Sequence, residues 1–199
     1  MKSNKYVLNA AFGLAVTCLV SSVAFAEELT LKIAGVKPIE DPGHRVLEMV
    51  AEEIEAADVG LSVKLFPAGQ LGSGEELLED TIRGNVDMTF AFLYAHKDPA
   101  LEMNSLPFLA SSWDEVNSIF GNPESTYTQI ITDTLDRIGL VYLGTGVEGL
   151  VGVVLTEEPE NATSIGQKGK HIRVWGSQLA RAATETLGYQ TTTMNWAEV

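Results

Sequence analysis

The sequence predicts an α/β fold, and three observations carry the prediction. Short stretches with apolar residues at every second position trade places with longer stretches of helical period, in the order β-α-β-α-β. The 199 residues are 45% hydrophobic and 20% charged, the composition of a chain with a packed interior. The run Gly144-Thr145-Gly146-Val147-Glu148-Gly149 is rich in glycine and poor in core residues, and it reads as a crossing between two lobes.

The elements follow in order. Leu29, Leu31 and Ile33 alternate with Thr30 and Lys32, a strand ending at Gly35. A loop over residues 36–43 holds Pro38 and Pro42. Val46, Leu47, Val50, Ala51 and Ile54 recur at helical spacing with glutamates mostly opposite them, an amphipathic helix. Leu61, Val63 and Leu65 form a second strand. Gly69 to Gly72 turns the chain, Ser73 with Glu76 opens a helix as a capping box, and Arg83-Gly84 closes it. A third strand is predicted over residues 86–92. Leu106-Pro107-Phe108-Leu109 is an apolar loop. Ser112 with Glu115 caps a short helix, and Ile130, Ile131, Leu135 and Ile138 mark a longer one. Residues 140–143 and the apolar run 150–156 are predicted strands on either side of the crossing. A polar loop spans residues 157–169. Residues 171–175 form a strand, and a helix over 177–187 ends at Gly188. Asn195 with Glu198 marks the first turn of one more helix.

The residues ahead of the first strand have a different character. Lys2 and Lys5 precede an apolar run over residues 6–20, and Ala24-Phe25-Ala26 supplies a small-residue cleavage pattern. This is the pattern of a secretory signal peptide, removed after Ala26. The competing readings are a membrane span, for which the run is short, and a lipid anchor at Cys18, which Thr17 in front of it disfavours. Cleavage takes with it the sole cysteine and two lysines, and shifts the net charge from −14 to −16. An exported, acidic, cysteine-free chain is expected in the periplasm, with no disulfide and no thiolate chemistry. The acidity argues against nucleic acid as a partner, because the phosphate backbone is met with basic surface.

Sequence motifs for catalysis are absent. His44, His96 and His171 lack metal-ligand spacing and read as surface or loop residues. No zinc-protease, nucleophile-elbow or phosphate-loop pattern occurs, and no cofactor or metal is called for. Most carboxylates fall on helix surfaces. Arg173 stands out inside the apolar strand between Ile172 and Val174. It fits either an edge-strand surface residue or a bidentate partner for a ligand carboxylate.

Several segments together resemble one family. Gln70-Leu71-Gly72 ahead of a Glu-rich helix, Arg83-Gly84-Asn85-Val86-Asp87-Met88, Leu106-Pro107-Phe108, Lys168-Gly169-Lys170-His171-Ile172-Arg173-Val174, and Thr193-Met194-Asn195-Trp196-Ala197-Glu198-Val199 resemble, in order and spacing, the DctP-type solute receptors of TRAP transporters. The resemblance implies a type II periplasmic-binding-protein-like fold of two lobes, with the second lobe truncated. Lobe one would span residues 27–147 and partial lobe two residues 148–199. It implies a receptor, not an enzyme, that binds a small organic acid (a dicarboxylate, sugar acid or keto acid) and delivers it to TRAP permease subunits in the inner membrane. The alternatives are a periplasmic enzyme or sensor domain on the same scaffold, or a nonfunctional truncated product.

Carried over residue by residue, the resemblance assigns the ligand carboxylate to Arg173, and places Trp196 and Phe92 against the ligand. Trp175, on the face of Arg173, and Glu148, in the crossing, complete the expected lining. Many family members carry a second arginine two residues after a glycine at the start of the crossing strand. Here Val151 stands in that place, which points to a monoacid or a partly apolar ligand.

Overall fold

The computed structural model describes residues 29–195 and 198. The expected signal peptide and Trp196 therefore lie outside the described residues, as does most of the expected last helical turn, of which Glu198 N–H donates to the Asn195 carbonyl. Among the described residues no helix is long and apolar enough to cross a membrane.

Among the described residues eleven elements form. They are β1 (Leu29–Gly35), α1 (Pro42–Ala56), β2 (Leu61–Phe66), α2 (Gly74–Ile82), β3 (Met88–Phe90), a 3₁₀ helix (Pro99–Ser105), α3 (Trp113–Ile119), α4 (Thr126–Arg137), β4 (His171–Val174), α5 (Gln178–Thr186) and β5 (Gln190–Thr193). The N-terminal sheet is parallel with strand order β2-β1-β3. A second parallel pair joins β4 to β5, with α5 as the connection. Parallel strands need a helical crossover, and the alternating sequence supplies one each time.

Local chemistry sets the helix starts. The Asp41 carboxylate accepts from Gly43 N–H and Pro42 sits in the first turn, so α1 begins inside the predicted loop. Ser73 and Glu76 exchange both bonds of a capping box. Ser112, Ser125 and Ser177 each cap their helix through the side-chain oxygen. Gly84 closes the turn after α2 at φ +74°, a conformation that costs glycine little.

Two apolar clusters hold these elements. Ala34, Val36, Leu77 and Val86 pack β1 against α2, with Phe66 and Leu71 at the margin. Leu101, Tyr127, Ile131 and Leu135 pack the 3₁₀ helix against α4, and the Phe120 ring meets Tyr127 edge-on at 4.7 Å.

The structure corrects several expectations. Residues 140–143 and 150–156 form no strand; Val141, Leu143, Val151 and Val154 are all exposed. An apolar run becomes a strand only when a neighbour completes its ladder, and no described residue pairs with these two. The third strand contracts to Met88–Phe90 and the fourth to His171–Val174, because pairing with β1 and β5 extends no further. The buried stripe of α1 runs through His44, Leu47 and Ala51, which leaves Val46 exposed. His44 is thus a buried helix residue rather than a surface one. Its Nδ1 has no hydrogen-bond partner among the described residues, and its Nε2 lies 3.6 Å from Glu48. The structure also adds β5 and the 3₁₀ helix, which the sequence pattern did not reveal.

Candidate functional site

In a parallel sheet, ligands meet the chain beyond the carboxyl ends of the strands, where neighbouring connections leave in opposite directions. In the order β2-β1-β3 that point lies between β1 and β3. Lys37 follows β1 by two residues, and Phe92 follows β3 by two. Both therefore stand at the sheet edge the topology singles out.

Lys37 is buried, at 4% exposure. Its ammonium is ion-paired with Glu148, 2.7 Å from Oε1 and 2.8 Å from Oε2, and it lies 5.3 Å from the centre of the Phe92 ring. Burying an ammonium requires such a partner. Glu148 reaches it from the glycine-rich crossing. That segment passes close to the β3 terminus, where a Cβ added at Gly146 would come within 2.9 Å of the Phe90 ring. Glycine at this position lets the crossing approach and brings Glu148 over Lys37.

The Phe92 ring stacks on Trp175 at 6.3 Å with an interplanar angle of 17°. Trp175 Nε1–H donates to Ser105 Oγ at 3.3 Å. Trp175 follows β4 directly, two residues after Arg173. Arg173 is half-buried and its Nε–H donates to the Met194 carbonyl at 2.9 Å. Burial lowers its pKa from the ordinary arginine value, and the nearby Tyr94 hydroxyl opposes that shift.

Tyr94 is the electrostatic neighbour of Arg173. Its hydroxyl is pushed up to about 12, first by burial and then by Glu75, with Arg173 acting in the opposite direction. Tyr94, Glu75, His96, Glu102 and Gly176 line a cavity of about 190 Å³. Glu102 also ties the 3₁₀ helix to α5, its Oε1 accepting from Ser177 Oγ at 2.5 Å and from Leu179 N–H at 2.7 Å.

Of the residues singled out by sequence, the structure stacks Phe92 on Trp175, and Arg173 lies on β4 two residues before Trp175. Glu148 joins through Lys37. Trp196 lies outside the described residues. Lys37, Tyr94 and Ser105 were missed. Lys37 had a signal: a cation directly after the apolar run Ile33 to Val36, at the end of a parallel strand. For Tyr94 and Ser105 the sequence offers none.

The site brings together a half-buried arginine, two stacked aromatic rings and a Lys–Glu ion pair. Among the described residues no group of His, Cys, Asp and Glu could hold a metal ion.

Comparison with known proteins agrees with this architecture. A family model described as bacterial extracellular solute-binding protein, family 7, matches residues 33–199. The uncharacterized protein YiiZ of Salmonella typhimurium is 29% identical over 193 residues, covering 94% of this chain and 57% of its own length. A TRAP periplasmic solute-binding protein of Citrobacter koseri with bound D-glucuronate matches with a TM-score of 0.67 at 27% identity, over 85% of this chain and 57% of that one. A second, from Sulfurospirillum deleyianum with bound succinate, matches at 0.65 and 21% identity, over 86% and 55%, a likeness of fold. The chain thus spans a little over half the length of these relatives. It has the type II periplasmic-binding-protein-like fold, and it belongs to family 7 of the bacterial extracellular solute-binding proteins, the DctP family.

Proposed function

We propose that this chain forms the greater part of a cleft that captures a small organic acid outside the cytoplasm and passes it to a TRAP-type permease. Residues 1–26 act as the export signal, residues 27–147 form lobe one, and residues 148–199 belong to lobe two. The observation that carries the reading is Arg173, half-buried near the carboxyl end of β4, two residues before the Trp175 whose ring stacks on Phe92. A guanidinium desolvated in this way gains strongly from a carboxylate in fork geometry. Phe92, Trp175 and Trp196 hold the carbon skeleton. The D-glucuronate of the Citrobacter relative and the succinate of the Sulfurospirillum relative are acids of the expected size. The ligand is bound and released unchanged.

Calorimetry on the full-length protein tests the reading with a panel of sugar acids, keto acids and dicarboxylates. Truncating one partner of a buried charge pair costs roughly 2–5 kcal/mol, so Arg173→Ala should weaken the best ligand about 30-fold or more. Arg173→Lys should recover part of the loss, because an ammonium lacks the planar fork. Failure of every acid to bind, or equal affinity in Arg173→Ala, overturns the reading. Chromatographic recovery of an altered acid would make the protein an enzyme.

A further inference from the structure

We propose that Glu102 is a positioning residue for ligand capture. From lobe one it caps the first turn of α5 in lobe two, and so holds the unit that carries Arg173 and Trp175 against the end of β3. The inference rests on the two-lobe receptor reading above and names a contact that sets its affinity.

The contact answers an ordinary need. The first N–H groups of a helix have no partner within it. In α5 the Ser177 hydroxyl takes one, accepting from Ala180 N–H at 2.9 Å. A second, Leu179 N–H, donates to Glu102 Oε1 at 2.7 Å, and the Ser177 hydroxyl donates to the same oxygen at 2.5 Å. Glu102 lies 75 residues before Ser177, on the 3₁₀ helix. A carboxylate at this end of a helix is stabilised by the helix dipole as well as by its two bonds. Ser177 is buried, so the junction is largely closed to water.

A second contact fixes the orientation. Ser105 stands three residues after Glu102, one turn of the 3₁₀ helix, and therefore on the same face. Its Oγ accepts from Trp175 Nε1–H at 3.3 Å and donates to Asn104 Oδ1 at 2.7 Å. Asn104 Nδ2–H in turn donates to the Leu93 carbonyl at 3.1 Å, next to the Phe92 whose ring stacks on Trp175. The 3₁₀ helix thus holds the corner between β4 and α5 at two points and ties it to the segment that carries Phe92. β4, α5 and β5 move as one unit, since the strands pair and Arg181 on α5 donates to Thr193 Oγ1 on β5 at 2.8 Å. What holds α5 therefore holds Arg173. Apparent affinity scales with the fraction of molecules already arranged to bind, and the Glu102 contact raises that fraction.

The full-length protein carries the test, with spin labels on Glu53→Cys in α1 and Ala182→Cys in α5, both exposed. Pulsed electron resonance reads the distance between the labels, and calorimetry with the acid panel reads affinity. Ser177→Asp keeps α5 capped, because aspartate caps as well as serine, but it sets a like charge against Glu102. Without ligand the label distances should broaden toward longer values. The best acid should bind about tenfold more weakly, the scale of one charge-assisted hydrogen bond, while circular dichroism shows unchanged helix content. Adding Glu102→Gln to Ser177→Asp replaces the repulsion with an amide that donates to the new carboxylate, and should return both readouts toward wild type. A residue that merely stabilised α5 would move neither the distance nor the affinity. Unchanged distance and affinity in Ser177→Asp overturn the proposal, as does a double variant no better than the single one. If Ser177→Asp does not fold, Glu102→Ala, which leaves Ser177 on the Ala180 N–H, carries the test with the same expected shift and loss, and wild-type values there overturn the proposal. Silence of every acid in wild type overturns the receptor reading instead, and the label distance, read without ligand, still decides the role of Glu102.

Discussion

Gly74 offers a direct test of how tightly the site is built. It is the first residue of α2, buried, and it packs against Tyr94, the neighbour of Arg173. A Cβ placed there would lie 2.2 Å from the Tyr94 hydroxyl oxygen, 2.5 Å from Cε2 and 2.6 Å from Cζ. Ordinary carbon contacts are about 3.5–4.0 Å, so Gly74→Ala requires the ring to move by an ångström or more. Tyr94 is only 8% exposed, so its ring can give way only toward the cavity it lines. Overpacking of this kind costs about 1–3 kcal/mol. Alanine offsets up to about 1 kcal/mol of that through its helix preference, since no left-handed backbone is involved here. The net loss should be about 1–2 kcal/mol, a drop in Tm of about 2–8 °C for a chain of this size. Melting by circular dichroism measures it. The same substitution in a Tyr94→Ala background should cost little, because the obstructing ring is gone, and the difference between the two backgrounds is the coupling energy. The displaced ring should also weaken acid binding by disturbing Arg173. An undiminished Tm in Gly74→Ala, or an equal loss in both backgrounds, would refute the packing argument.

Three further outcomes are expected. Tyr94 and Tyr127 are both pushed up to about 12, chiefly by burial, so the native state resists losing their protons. Between about pH 10 and 12 the unfolded chain binds fewer protons than the native one, and stability should fall by about 1.4 kcal/mol per pH unit for each tyrosine; absorbance titration should show two tyrosines ionising only well above pH 10, and ionisation of Tyr94 and Tyr127 near pH 10 in the native state would contradict this. Acid binding should change tryptophan fluorescence, with part of the change lost in Trp175→Phe and part in Trp196→Phe; Trp113 is 57% exposed and should respond little, so a signal intact in both variants would remove both rings from the cleft. The net charge of −14 opposes an anion at long range. Raising salt shortens the screening length from about 30 Å at 0.01 M to about 10 Å at 0.1 M, so stopped-flow association of D-glucuronate should speed up; a slowing would mean that the local cations dominate the approach.

The fold was legible wherever a local rule decided it. The Ser73–Glu76 capping box, the Ser112 cap and the Gly84 stop rest on neighbours within four residues, and each stands where the sequence places it. Errors fell where a distant partner decides. Residues 150–156 have the apolar run of a buried strand, yet strand formation depends on a neighbour that no local pattern reveals. β5 is the converse case. Gln190-Thr191-Thr192-Thr193 has no apolar face and pairs because β4 lies alongside it. In α1 the buried stripe includes His44, since Asp41 and Pro42 start the helix earlier than hydrophobicity alone indicates.

The same division explains the site. Arg173 drew attention because a charge inside an apolar strand is locally anomalous. Phe92 emerged from a resemblance, Trp175 from its spacing to Arg173 and Glu148 from its place in the crossing, without any indication that they meet. What joins them is Lys37, whose only sequence signal is its place directly after the apolar run of β1. Its importance comes from topology, because β1 is the central strand and its carboxyl end lies beside that of β3, from which the chain leaves in the other direction. Any side chain two residues beyond that strand end is directed toward the cleft mouth, and an ammonium there must find a counter-ion or leave. Glu148, more than a hundred residues away, supplies it. A charge pair separated that far in sequence cannot be inferred from spacing. It follows once the strand order is known, because that order says which strand ends share an edge and which loops must cross it.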